Sequence, residues 1–130
     1  MRIRSRALSV FAAATLAAAG LTAAVSTSAS AAATSCLGTA KGYNSDPTYN
    51  YWPEGTTSWA VTTSSCNDIN VKPNNGVYVQ TCFNPSNGNY YCNSKRWIAA
   101  GTWGLAATDV LDNTSFYLQF DRPSSGRVAY

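Results

Sequence analysis

Aromatic side chains are the residues of this chain best suited to contact another molecule. Eight Tyr, four Trp and three Phe lie beyond residue 31. An exposed Tyr or Trp offers a flat apolar face with a polar tip, which suits stacking on sugar rings or anchoring a protein partner. The aromatic residues that lie in turn-rich stretches are therefore the candidate binding residues: Tyr49, Tyr51, Trp52, Tyr90 and Tyr91. The alternative is that these rings fold back over the domain as a small core.

Residues for catalysis are scarce. The chain has no His, which excludes His-dependent triads and His-ligated metal sites. Glu54 and Asp46 form the one carboxylate pair worth testing for glycosidase chemistry, but Asp46-Pro47 and Pro53-Glu54-Gly55 are typical turn sequences with solvated acids. Neither a phosphate-binding glycine loop nor a calcium loop is present. We therefore expect no catalytic residues, no metal and no cofactor.

The charge balance argues against nucleic acid as a partner. Nine Lys and Arg face six Asp and Glu over the whole chain. Three of the nine are Arg2, Arg4 and Arg6, so residues 32–130 carry six charges of each sign and a net charge of zero. Binding to nucleic acid requires a basic surface, and an antimicrobial toxin normally has one. The net charge of zero therefore argues against both of these functions.

The first 31 residues predict a secretory signal peptide. An Arg-bearing start precedes an Ala-dominated apolar run from Ala7 to Val25, and small residues follow it. Ala29-Ser30-Ala31 is the expected cleavage site, with cleavage after Ala33 or a retained membrane anchor as alternatives. The Ala-rich leader resembles those of filamentous, high-GC Gram-positive bacteria. We expect a secreted, extracellular domain over residues 32–130 that has no contact with the membrane after cleavage.

Four cysteines, all beyond the leader, predict two disulfides. An even number of cysteines in a short exported chain indicates a disulfide framework. Cys82 and Cys92 flank the turn sequence Asn84–Asn89, so a hairpin would bring them together and leave Cys36 to pair with Cys66. A four-cysteine zinc site is the alternative, but the chain lacks any C-x2-C pair.

Short β-branched and aromatic runs separated by Gly, Pro and Asn dominate the remaining sequence. This pattern predicts a single all-β domain, either a small antiparallel β-sandwich or a partly open barrel, held by two disulfides and monomeric. Residues 36–57 are expected to be irregular. The predicted strands are Ser58–Thr63, Asp68–Lys72, Val77–Phe83, Lys95–Ala99, Leu105–Leu111, Ser115–Phe120 and Gly126–Tyr130.

These observations favour a non-catalytic extracellular binding module, with polysaccharide or cell-envelope glycan as the leading ligand class. The alternative is a secreted inhibitor of an extracellular protease or glycosidase. Such an inhibitor would present a rigid loop to its target, and the segment Asn84–Asn89 between the bridged cysteines is the natural candidate. In either case the partner is a glycan or an extracellular protein.

Overall fold

The computed structural model describes residues 35–55 and 58–130. The predicted signal peptide lies outside these residues. A single helical turn over residues 35–38 precedes ten strands. The strands are β1 (Lys41–Asn44), β2 (Tyr51–Trp52), β3 (Ala60–Val61), β4 (Ile69–Pro73), β5 (Val77–Asn84), β6 (Tyr91–Cys92), β7 (Arg96–Ile98), β8 (Gly104–Ala107), β9 (Ser115–Phe120) and β10 (Ser125–Ala129).

Two antiparallel sheets make up the domain. The four-stranded sheet has the order β1-β10-β4-β8. The six-stranded sheet is centred on the pair β9 and β5, with β2 and β3 both paired to β9, and β6 and β7 both paired to β5. Neither sheet closes on itself. The predicted all-β antiparallel fold, with two sheets arranged as a sandwich, is therefore confirmed.

Alternation of side chains along the two central strands builds the core. Val77, Val79 and Phe83 of β5 are buried, as are Phe116, Leu118 and Phe120 of β9. These side chains point to the inner face, because successive residues of a strand project to opposite sides. The four-stranded sheet contributes the facing layer of the core, which includes Ile69, Val71, Ala106 and Val128. The opposite side of the six-stranded sheet is called the outer face below.

Both predicted disulfides are confirmed. Cys36 pairs with Cys66, and Cys82 pairs with Cys92. The second bridge joins residues that lie directly opposite each other in β5 and β6. Because disulfides persist in oxidising compartments, the two bridges fit a protein that functions outside the cytoplasm. No helix in residues 35–55 and 58–130 is long and apolar enough to cross a membrane.

The structure departs most from the predicted strands in two places, and the predicted strand Ser58–Thr63 is shortened to β3. The segment expected to be irregular contains β1 and β2, which pair with β10 and β9 far along the chain. The strand predicted to continue to Leu111 ends at Ala107, and Asp109 beyond it adopts a left-handed conformation with φ 53°. There the backbone N–H of Asp109 donates to the carboxylate of Asp68. Turn chemistry outweighs the apolar pattern of this segment.

One half-buried asparagine joins the two sheets. The Asn93 Oδ1 atom accepts a hydrogen bond from the backbone N–H of Thr81 in β5 at 2.8 Å. Its Nδ2 atom donates to the carbonyl of Ala106 in β8 at 2.7 Å. Thr81 and Ala106 are fully buried, so a single side chain satisfies polar backbone groups on both sheets.

Candidate functional site

Five aromatic rings form a continuous series of contacts on the outer face of the six-stranded sheet. The Tyr51 ring lies 6.0 Å from Tyr49 and 5.2 Å from Tyr117, measured between centroids. Trp59 extends the series, because it packs edge-on against Tyr117 at 5.3 Å and lies 6.4 Å from Tyr90. Tyr49 and Tyr90 are more than half exposed, and the other three rings are half-buried. We call these five residues the aromatic surface.

Strand pairing places the half-buried rings on one side of the sheet. Tyr117 lies between the buried Phe116 and Leu118 on β9, so its side chain projects to the outer face. Tyr51 of β2 is opposite Gln119 of β9, two residues further along the same face. Trp59 immediately precedes β3, whose Ala60 pairs with Phe116. Two neighbouring segments, β2 and β3, thus meet the outer face of β9, which lies far along the chain.

A turn holds Tyr49 against this row, and a hydrogen bond holds Tyr90. The Asp46 carboxylate accepts hydrogen bonds from the backbone N–H groups of Thr48 and Tyr49, both at 2.8 Å. This confirms the predicted turn at Asp46 and keeps that carboxylate occupied with backbone groups. Tyr90 is held by its own hydroxyl, which lies 2.6 Å from the hydroxyl of Tyr117.

The surface is uncharged where its rings enclose a cleft. Tyr51, Trp59 and Tyr117 line a cleft of about 130 Å³, together with Pro53, Gly55 and Ser58. None of these lining residues carries a formal charge. Burial, and then the hydrogen bond to Tyr90, raise the pKa of Tyr117 above its usual value, so its hydroxyl remains protonated. The cleft therefore offers apolar faces and neutral hydroxyl groups.

Two of the predicted binding residues lie elsewhere. Trp52 projects from the other side of β2, where its ring packs against Phe116 and Tyr130 at 6.4 and 5.9 Å. Tyr91 packs against Phe83 at 5.2 Å and lines a separate cleft of about 320 Å³ beside the hairpin. Neighbouring residues on a strand project to opposite faces, so the side chains of Tyr51 and Trp52 lie on different sides of the sheet. The same holds for Tyr90 and Tyr91. Trp52 packs back against the core, as the alternative interpretation of these rings expected.

Sequence reasoning missed two members of the aromatic surface, Trp59 and Tyr117. The predicted inward row of Phe116, Leu118 and Phe120 already implied that Tyr117 faces outward, so the alternation of that strand contained the necessary information. No comparable sequence pattern indicated the position of Trp59. Its place in the surface depends on the pairing of β3 with β9, which no local pattern predicts.

Carboxylate and metal chemistry receive no support from the geometry. Glu54 is exposed, and its predicted partner Asp46 is engaged by the turn that precedes Tyr51. In the part of the chain that the structure describes, no group of three or more acidic or cysteine side chains is placed to hold a metal ion. The aromatic surface is thus the best-developed candidate site.

Comparisons with known proteins do not add to this description. No protein-family model matches the chain, and neither the curated proteins nor the solved structures contain a match to it. Function is therefore inferred from the residues of the aromatic surface themselves.

Proposed function

We propose that this protein is a non-catalytic module that binds extracellular polysaccharide or cell-envelope glycan through its aromatic surface. The observation that carries the proposal is the unbroken series of five rings, joined by four ring contacts, on one sheet face. A single exposed ring is ordinary, but a contiguous exposed apolar patch marks an interaction site. The rings are held in place by strand pairing and by one hydroxyl–hydroxyl hydrogen bond, so little side-chain freedom would be lost on binding.

The chemistry of the surface favours a sugar over a charged ligand. Pyranose rings present apolar C–H faces for stacking and hydroxyl groups for hydrogen bonds, and the surface supplies both kinds of partner. Each aromatic contact is worth about 0.5–1.5 kcal/mol, so two or three together support weak but specific binding. The uncharged cleft and the net charge of zero beyond residue 31 fit a neutral polymer.

Adjacent tyrosines of the hairpin offer a matched test. Tyr90 and Tyr91 are each 54% exposed, yet only Tyr90 contacts the aromatic surface. Retention on cellulose, chitin, xylan and purified peptidoglycan is measured for the parent protein and for Tyr90→Ala and Tyr91→Ala. We expect Tyr90→Ala to weaken retention on the bound glycan, while Tyr91→Ala leaves it unchanged. The proposal fails if no glycan retains the parent protein, or if both variants lose binding equally.

A second candidate function is inhibition of an extracellular hydrolase by the hairpin loop. All seven residues from Ser86 to Cys92 are exposed, and the Cys82–Cys92 bridge closes the loop at its base. A hydrogen bond from the Gly88 N–H to the Pro85 carbonyl stiffens the tip. Such a loop loses little entropy when it enters an active site. Inhibition of a panel of proteases and amylases tests this candidate, and Ser86→Arg should abolish any inhibition without affecting glycan retention.

A further inference from the structure

A second pair of exposed rings lies on the same outer face. Trp97 of β7 and Tyr78 of β5 are directly opposite each other in the strand register, and their rings meet edge-on at 5.1 Å. Their exposed fractions are 53% and 46%, so neither ring serves the core. This pair is separate from the five rings of the aromatic surface, and we call it the distal pair.

The distal pair is held in place and lies beside paired charges. The indole of Trp97 covers Gly76, where an added Cβ would approach the ring to 2.6 Å. The glycine therefore provides the space that the indole occupies. The backbone N–H of Tyr78 donates to the carboxylate of Asp121, which also forms an ion pair with Arg122 at 2.8 Å. The charges of Asp121 and Arg122 are thus paired with each other beside the distal pair.

Strand geometry gives the separation between the distal pair and the aromatic surface. Tyr78 lies four residues before Cys82, which is opposite Tyr117, and this corresponds to about 13 Å along β5. Trp97 is two strands away from Tyr117, which adds about 10 Å across the sheet. The diagonal between Trp97 and Tyr117 is therefore about 16 Å on this geometry.

Amide side chains occupy the space between the two groups of rings. Gln80 and Gln119 are opposite each other in the register of β5 and β9, and both are half-buried on the outer face. The Gln80 Nε2 atom donates to the carbonyl of Asn93, and its side-chain oxygen is an acceptor that this hydrogen bond does not use. Rings at both ends and amides in the middle match the alternating apolar and hydroxyl-bearing surface of a sugar chain.

We infer that the distal pair and the aromatic surface are the two ends of one platform, which binds a linear, neutral polysaccharide chain running diagonally across the outer face. This inference rests on the proposed function and adds the ligand class to it. A disaccharide is too short to reach both groups of rings, whereas a hexasaccharide reaches both. Affinity should therefore increase with chain length, and the increase should depend on Trp97.

Titration calorimetry with cellobiose, cellohexaose, chitobiose and chitohexaose tests the inference on protein expressed from the full chain. The parent protein should bind one hexasaccharide more tightly than the matching disaccharide. Trp97→Ala should lower the hexasaccharide affinity by about 2- to 13-fold, because it removes one ring contact with the sugar. It should leave the disaccharide affinity unchanged. Tyr90→Ala should lower both affinities. Leu111→Ala removes an apolar side chain that is 79% exposed and outside the platform, and it should change neither.

The possible outcomes separate the inference from the proposed function. If the parent protein binds sugars but Trp97→Ala lowers both affinities equally, or lowers neither, the platform is wrong and the proposed function stands. If the parent protein binds none of the four sugars and no insoluble glycan retains it, both are wrong. Should Trp97→Ala fail to fold, Tyr78→Ala removes the other ring of the distal pair and must give the same length-dependent loss. Binding of a protein partner in place of any sugar would also overturn the platform.

Discussion

Replacing Asn93 with alanine tests whether one side chain holds the two sheets together. The substitution removes the acceptor for the Thr81 N–H and the donor to the Ala106 carbonyl, and it leaves the strands themselves unchanged. We expect the free energy of unfolding to fall by about 2–4 kcal/mol.

The magnitude follows from what each backbone group loses. The Thr81 N–H is left without a partner in a fully buried residue, and such a group costs about 1–3 kcal/mol. The Ala106 carbonyl still accepts from the Thr81 hydroxyl at 3.1 Å, so it loses only one of two hydrogen bonds, worth about 1 kcal/mol. Asn93 itself is half-buried, so water that enters its place partly replaces the lost hydrogen bonds. The total loss of stability therefore stays below the sum of the two upper values.

Urea unfolding followed by Trp fluorescence measures the change, and the thermal midpoint should fall by about 10–20 °C. Asn74→Ala is the matched control, because it also removes one asparagine amide that bonds across the fold, to the Ser125 hydroxyl at 3.0 Å, but at an exposed site. We expect the control to cost less than about 1 kcal/mol.

Asn93→Asp adds a test that depends on pH. The new carboxylate keeps the acceptor for Thr81 but turns a negative oxygen towards the Ala106 carbonyl, so the folded state favours the protonated acid and raises its pKa. Stability contributed by a group with a raised pKa is present at low pH and lost as pH rises. Asn93→Asp should therefore be less destabilised at about pH 4 than at about pH 7. The side chain does not link the sheets if the free energy of unfolding of Asn93→Ala lies within about 1 kcal/mol of the parent value. The same conclusion follows if the stability of Asn93→Asp does not depend on pH.

Four further outcomes are expected. Replacing both Cys36 and Cys66 with Ser should lower the free energy of unfolding by about 3.6 kcal/mol, and replacing both Cys82 and Cys92 by about 2.7 kcal/mol. The first loss is larger because the Cys36–Cys66 bridge closes the longer loop in the unfolded chain. Urea unfolding of the two double variants checks this order. Trp52→Ala should cost about 3 kcal/mol, a clear drop in thermal midpoint that an exposed ring would not give. The free energy of unfolding should fall as pH rises above about 10, because burial raises the pKa of Tyr117 in the folded state, whereas the same tyrosine ionises in the unfolded chain. Tyr117→Phe should make this loss of stability at high pH smaller. Gly126→Ala should prevent stable folding or lower the midpoint sharply, since its Cβ would collide with the backbone of Lys72, whereas Gly38→Ala, in open space, should be neutral.

Local sequence patterns determined which side chains of the central strands are buried. Alternation along Val77–Phe83 and Ser115–Phe120 predicted the two inner rows, because a strand projects successive side chains to opposite faces wherever it lies. The turn Asn84–Asn89 likewise predicted the Cys82–Cys92 bridge, since a hairpin brings its own flanking residues together. These features depend on contacts close in sequence, which a sequence pattern can represent.

Only the tertiary structure decided which aromatic residues share a surface. Tyr51 and Trp59 meet Tyr117 because β2 and β3 both pair with β9, some sixty residues further along the chain. No local preference indicates that a two-residue strand exists at Tyr51, because its backbone hydrogen bonds form only with that distant partner. The register of this pairing also determined that Tyr51, and not Trp52, faces outward. A shift of one residue would exchange the two rings, and the burial of Trp52 against Phe116 and Tyr130 is what selects the observed register.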